Sequence, residues 1–358
     1  MNLDDLHLFN ELDPENMLGE IDNLPGQLDQ AWKLGLAQES RSLPGKGTLS
    51  RILISGMGGS AIGADLVTAF AASTCAIPVS VHRDYGLPAW ARGPETLVIA
   101  SSHSGNTEET LDSFEAARKA GCTIFAICTG GELEKRADAA GVPVWKFDHK
   151  GQPRAAVGFS FGLLLAALTR MGLTGSPEEI TTSVSLAVSA MKQQQGGIHA
   201  DIPAAENPAK RFAGQLVGRW VNVYGSGILA PVARRWKGQV NELAKAGASF
   251  ELLPEADHNA LAGLENPELL MQTITLFLRA PSNHPRNRVR AELTRQAFMV
   301  AGMNSDFYDA KGEGALEQMW TAIHFGDYMA YYLAMAYGVD PTAIPALTNF
   351  KASMKATK

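Results

Sequence analysis

TLVIASSHSGNTEETLDSFEAARKAG, residues 96–121, decides the reading of this chain. TLVIA is a short apolar run of the kind that forms a buried strand, and from Thr107 the spacing of Leu111, Phe114 and Ala117 is that of an amphipathic helix. Between the two stand Ser102, Ser104 and Thr107, grouped around Gly105. A plain turn needs far less. Ser104 or Asn106 can cap the helix, which accounts for one polar side chain and leaves the others without a reason. Hydroxyls combined with backbone amides at a helix start satisfy several terminal oxygens of a phosphate monoester at once, so this loop is read as a phosphate cradle.

Working outward, the same alternation repeats. RILISG (51–56), PVSVHR (78–83), TIFAIC (123–128) and PVWKFD (143–148) read as strands, and SAIGADLVTAFAAS (60–73) and ELEKRADAAG (132–141) as helices. Short apolar strands alternating with amphipathic helices predict a parallel sheet covered on both faces, a doubly wound α/β domain. In such sheets ligands gather where loops leave the carboxyl ends of strands. GMGGSAIG (56–63) is the first such loop: Gly58 and Gly59 let the backbone approach an anion, and Ser60 adds a hydroxyl at a helix N-terminus. It also partly matches a dinucleotide fingerprint through Gly56, Gly58 and Ala61, with Asp84 near the end of the next strand. Taken alone, that loop leaves a nicotinamide or flavin oxidoreductase open. The hydroxyl loop 101–107 has no task in such an enzyme and favours a phosphate ester.

Residues 1 to about 45 read as helices broken at Pro25-Gly26 and ending in the turn 43–47. Residues 155–205 read as a helical connector. A second alternating block follows: RWVNVYGSG (219–227), the helix ILAPVARRWKGQVNELAKAG (228–247), ASFELLP (248–254), LLMQTITLFLRAP (269–281), a helix near 285–297, and FMVAG (298–302) as the next element. Strand, Gly-Ser-Gly and helix repeat the first scheme, so two copies of one architecture are expected, over 46–154 and 206–302. Residues 303–358 then supply a long helix, stopped at GVDP, and a tail containing TNFK.

Bulk properties narrow the classes. Apolar and aromatic residues make up 46% and charged residues 19%, which suits a compact globule and argues against disorder. A net charge of −6 gives no basic face for nucleic acid. Three widely spaced cysteines make a disulfide framework improbable and fit a reducing cytoplasm. The start is acidic where a signal peptide is basic, and VGFSFGLLLAAL (157–168) is too short to span a bilayer, so a cytoplasmic protein without a membrane anchor is expected.

GMGGSAIG followed by SSHSGNTEET resembles the sugar isomerase (SIS) domain, a phosphosugar-binding α/β fold. KGQPRAAVG (150–158), VYGSGILAPVARRWKGQVNE (223–242), EADHN (255–259), GDYMAYYLAMAYGVDPT (326–342) and TNFK (348–351) are similar to the bifunctional phosphoglucose/phosphomannose isomerase family, over residues from about 50 to the end. That resemblance implies two doubly wound parallel-sheet SIS domains. It also implies aldose–ketose isomerisation of glucose 6-phosphate, with mannose 6-phosphate as a further candidate substrate, no cofactor, and a homodimer with a shared active site.

Moving a proton between C1 and C2 of an opened sugar needs a base on the carbon, a group to open the ring, and positive charge near the developing oxyanion. By resemblance, Glu242 is the proton-transferring base and His258 the ring-opening acid/base, supplied by the partner subunit. Lys351 assists ring opening, and Arg154 steadies the enediolate. On the residues alone, Glu242 reads first as a helix-surface acid paired with Lys245 or Arg235. His258 reads as a loop histidine, Lys351 as a solvated tail residue and Arg154 as a surface arginine. One departure is His103, where the family commonly has an aromatic. The remaining histidines show no metal-ligand spacing, so no metal site is expected and a zinc-dependent mannose-phosphate isomerase is disfavoured. A non-catalytic phosphosugar-binding SIS module is the main rival. The acidic first 45 residues, lacking a basic recognition helix, count against it.

Overall fold

The fold was analysed in a computed structural model, which describes residues 2–38, 43–45, 47–266 and 270–357. Lys46 of the expected turn and Leu269 of the expected strand lie outside the described residues. The chain opens with α1 (Leu6–Leu12), α2 (Met17–Asp22) and α3 (Leu24–Ala37). Pro25 sits in the first turn of α3, so Pro25-Gly26 starts a helix instead of breaking one. Proline is tolerated there because the N–H it lacks has no intrahelical partner anyway.

All five strands expected in the first sheet form: β1 (Arg51–Ser55), β2 (Val79–His82), β3 (Thr96–Ser102), β4 (Thr123–Cys128) and β5 (Val144–Lys146). They run parallel in the order β2-β1-β3-β4-β5. Helices α4 (Gly58–Ala71), α5 (Glu108–Lys119) and α6 (Gly131–Ala139) make the crossovers. Every residue of β3 is buried, as a central strand covered on both faces requires.

The first helix of the expected connector lies in the core. The connector holds α7 (Val157–Arg170) and α8 (Pro177–Gln195), and α9 (Pro208–Leu216) follows just beyond it. α7 is buried on all sides up to Thr169 and packs against α3 and α4. Close approach is bought with glycines: at Gly162 a Cβ would meet the Ala31 Cβ at 2.6 Å, and at Gly63 the Ser160 Cβ at 2.5 Å. An apolar helix with no polar face must be enclosed in this way.

The second sheet holds β6 (Trp220–Gly225), β7 (Ala248–Leu252), β8 (Thr273–Arg279) and β9 (Asn304–Asp309), parallel in the order β7-β6-β8-β9, with α10 (Ala230–Glu242) and α11 (Pro285–Val300) as crossovers. This repeats the order of the first four strands. One expectation is corrected: FMVAG belongs to the last turn of α11 and the bend after it, and the fourth strand is NSDFYD, beyond residue 302 where the second unit was expected to end. α12 (Ala315–Tyr337) is buried along nearly its whole length and packs on α8, α9 and α10. It stops at the left-handed Gly338, and α13 (Pro345–Ala356) carries TNFK on the surface.

Candidate active site

Strand order reverses between β2-β1 and β3-β4, so the loops after β1 and β3 leave adjacent tips and diverge to opposite faces, which opens a crevice between them. Gly58 and Gly59 begin α4 there, with Gly58 at φ +50°. The Ser60 hydroxyl accepts a hydrogen bond from the His103 backbone N–H at 3.2 Å, tying one loop to the other. Gly105, at φ +66°, is where the second loop passes against the Gly130 carbonyl, and a side chain there would collide with it.

The hydroxyls divide. Ser104 and Thr107 line a cavity of about 730 Å³ together with Gly58, Gly59 and Ser60. Ser102 is buried instead: its Oγ accepts from the Gly105 N–H at 3.1 Å and lies 2.9 Å from the Thr107 Oγ1, bracing the loop from within. Thr107 occupies the N-cap position of α5 without a side-chain cap bond, while the Ser104 Oγ accepts from the Asn106 N–H at 3.2 Å within the loop and the Asn106 Oδ1 accepts from the Glu132 N–H at 3.0 Å in the first turn of α6. Capping of α5 therefore does not explain the loop's hydroxyls.

Arg154, Glu242 and Lys351 line the same cavity, from three separate parts of the chain. Arg154 sits in a short 3₁₀ turn, Pro153–Ala155, just before α7, and is buried. Gly59 permits this placement, because its Cα lies against the Pro153 carbonyl where a Cβ would not fit. The guanidinium donates through Nη2 to the carbonyls of Pro341 at 2.8 Å and Thr342 at 2.5 Å, and Nη1 stands 3.8 Å from Glu242 Oε2. Burial lowers the Arg154 pKa, and the Glu242 charge opposes that shift. An arginine starts high enough to stay cationic.

Glu242 is the last residue of α10. The helix was expected to run on to Gly247, but Lys245 turns left-handed at φ 54° and its Nζ ties the turn to the carbonyls of Glu242, Leu243 and Asp340. Burial, and then the Arg154 charge, push Lys245 down to about 8. Lys245 thus holds backbone, while Arg235 is engaged by Asp327, with Nε 3.1 Å from Oδ1 and Nη2 2.6 Å from Oδ2. The surface-pair reading of Glu242 is replaced by a carboxylate facing Arg154.

Sequence reasoning missed this Asp327–Arg235 pair. Gln239 also donates to Asp327 at 2.9 Å, and Arg235 donates onward to the Arg154 carbonyl at 3.2 and 3.3 Å. The buried pair on α12 and α10 therefore fixes the backbone under Arg154. A signal was available, since Asp327 is the one acidic residue in the run 318–337, which has no lysine or arginine.

His258 is not brought to this cavity in its own chain. It stands exposed on the 3₁₀ turn Glu255–His258, pinned because Asp257 accepts from Arg290 at 2.9 Å and Thr294 at 2.7 Å on α11. A smaller chamber of about 370 Å³ adjoins the main one, sharing Gly58, Gly59, Arg154 and Glu242 and adding Arg83, Arg234 and Lys237.

Residues 205–354 match the family model for the bacterial phospho-glucose isomerase C-terminal SIS domain. The chain is 36% identical over 340 residues to a bifunctional phosphoglucose/phosphomannose isomerase of Caldicellulosiruptor bescii, covering 94% of this chain and 98% of that one. It is 33% identical over 307 residues to a protein of the same name from Thermoplasma acidophilum, covering 85% and 90%. Among solved structures, the C-terminal domain of glucosamine-fructose-6-phosphate aminotransferase from Francisella tularensis superposes with a TM-score of 0.69 at 15% identity, over 91% of this chain and 98% of that one. Two doubly wound parallel sheets of one strand order, with glycine and hydroxyl loops at the first switch point, make this a tandem SIS-domain protein. Within that class, the chain belongs to the bifunctional phosphoglucose/phosphomannose isomerase family.

Proposed function

We infer that this chain is an aldose–ketose isomerase acting on phosphosugars, interconverting glucose 6-phosphate, and mannose 6-phosphate as its C2 epimer, with fructose 6-phosphate. The observation that carries this reading is the meeting of Arg154, Glu242 and Lys351 with both phosphate-type loops on one cavity, in a chain related to the family over nearly its whole length.

In the mechanism, Gly58, Gly59, Ser60, Ser104 and Thr107 hold the phosphate, with Ser102 acting through Thr107. Lys351 and His258 open the ring. The Glu242 carboxylate takes the C2 proton and returns it to C1, and the Arg154 guanidinium 3.8 Å away stabilises the enediolate oxygen that forms between those two steps. His258 reaches the site from a second copy of the chain, in a cytoplasmic homodimer. What supports a shared site is that this histidine is pinned yet exposed, away from its own chain's cavity. No step calls for a metal, so full activity is expected in the presence of a chelator.

The test is substrate incubation in deuterated water. The wild type places deuterium at C2 of the recovered aldose phosphate. A folded Glu242→Gln variant that still exchanges at the wild-type rate would remove Glu242 from its role, and binding without any turnover in the wild type would favour the non-catalytic module.

A further inference from the structure

His103, which departs from the aromatic common in the family's loop, is joined to the N-terminal segment by a line of three titratable side chains. Its Nε2 lies 2.9 Å from His149 Nδ1, and His149 Nε2 lies 3.2 Å from Glu20 Oε2, on α2. The line is built, not incidental. His149 is buried and lies against the Phe159 ring, and His103 meets Phe147 edge-on. Gly151 leaves room for the pair, since a Cβ there would stand 2.6 Å from Glu20 Oε1 and 2.8 Å from His149 Cε1. His103 itself lines the cavity beside Ser60, Ser104 and Thr107, and among the described residues its Nδ1 has no hydrogen-bond partner.

The chemistry of this line is constrained. An ionised carboxylate only accepts, so His149 must donate to Glu20 through Nε2. With one ring proton, His149 presents a bare Nδ1, His103 donates to it through Nε2–H, and His103 Nδ1 is left as an acceptor. With two ring protons, His149 donates through Nδ1–H to His103 Nε2, and the His103 proton resides on Nδ1 as a donor. The two states differ by one proton, held on His149, while His103 stays neutral in both.

We propose that Glu20, His149 and His103 form a proton relay that converts His103 Nδ1 into a phosphate donor when substrate binds. The proposal rests on the phosphate-cradle reading above. The incoming phosphate dianion repels a bare Nδ1 and attracts an N–H, so binding draws one proton from solvent onto His149, whose imidazolium is balanced by Glu20. His103 is well placed to remain neutral, because burial and the neighbouring His149 hold it down to about 4. Hydrogen bonding to His149 lowers the Glu20 pKa, keeping the carboxylate ionised. The groups acting on His103 are His149 and Glu20. Asp148 and Lys150 beside His149 are exposed, and Glu109, Arg154, Glu242 and Lys351 line the cavity. Glu20 and His149 are positioning residues acting through His103.

The experiment is calorimetric titration with glucitol 6-phosphate, which cannot isomerise, at about pH 7.5, where a phosphate monoester with a second pKa near 6 is already dianionic. Two buffers of different ionisation enthalpy give the number of protons taken up. Wild type is expected to take up about one proton per site. Glu20→Gln, on a partly exposed side chain, should take up none and bind roughly tenfold more weakly, with an unchanged melting temperature as the check that it folds. His103→Phe, which restores an aromatic, should also lose the uptake. No uptake in wild type, or the same uptake in Glu20→Gln, overturns the relay. Ser104→Ala and Thr107→Val separate the two readings: if these variants bind as wild type does, the cradle itself falls and the relay with it. If they weaken binding while the proton count is the same in wild type and Glu20→Gln, only the relay falls.

Discussion

Arg154 and Glu242 face one another across the seam between the two halves of the molecule, Nη1 to Oε2 at 3.8 Å, and neither side chain is held there by its own domain alone. The arginine is anchored by the carbonyls of Pro341 and Thr342 and by Arg235, and the glutamate by the turn that Lys245 stitches to Asp340. A pair assembled from both halves exists only when the halves are docked.

Arg154→Lys should therefore cost more than a charge-conserving change suggests. A lysine cannot reproduce the planar fork that spans two carbonyls and the carboxylate. The expected outcome is a fall in kcat of roughly 10²-fold or more with a smaller change in KM, since the charge matters most as the oxyanion forms. Steady-state kinetics with glucose 6-phosphate check it.

In the proposed mechanism Glu242→Gln removes the proton acceptor while keeping the size of the side chain. Loss of general base action should lower kcat by about 10² to 10⁴-fold, or roughly 3 to 5 kcal/mol of barrier, with KM nearly unchanged. Rapid-quench turnover measurements read this directly.

Gly59→Ala tests the contact that sets α4 against the Arg154 turn. The new methyl has no space at the Pro153 carbonyl, so the helix start must shift or the turn must move. About 1 to 3 kcal/mol of destabilisation is expected, together with impaired activity. Denaturant melts and kinetics on the same preparation show whether both change together.

Mixing His258→Ala with Glu242→Gln examines the shared site. If His258 serves the other subunit, co-refolded variants form heterodimers in which one site holds both native residues. Roughly a quarter of wild-type activity should return from two inactive parents. No recovery from dimers shown to exchange subunits would assign His258 elsewhere.

Stability should fall with acid in a defined window. Burial holds His324, bonded to the Ile21 carbonyl at 2.9 Å, down to about 4, and His103 is held similarly low. The unfolded chain binds protons on these rings below about pH 6.5 while the folded protein does not, so stability rises with pH between the two values. Acidification through that window, from neutrality toward pH 4, is expected to remove about 3 kcal/mol for the fully buried His324 and less for half-buried His103. Thermal melts at pH 7.5 and pH 5 measure the loss, and His324→Gln should flatten the profile.

β1, β3 and β4 were legible in the sequence because each carries an uninterrupted apolar run, and burial on both faces demands that pattern. β9 was not, because it has only one strand neighbour and most of its residues are only partly buried, so polar NSDFYD escapes the pattern. FMVAG misled for the converse reason: Met299 and Val300 are 52% and 85% exposed, apolar side chains on a helix end that buries neither. The α/β class, the repeat of one architecture and the two loops at the strand tips follow from local periodicity and glycine placement, which act within a few residues. Which hydroxyls line the cavity, which cation faces Glu242 and which histidine reaches back to Glu20 depend on groups more than a hundred residues apart in places, and only long-range packing sets those distances. Ser102 turns inward because the loop must be braced, and Arg154 is held because a buried carboxylate on α12 grips Arg235 beneath it.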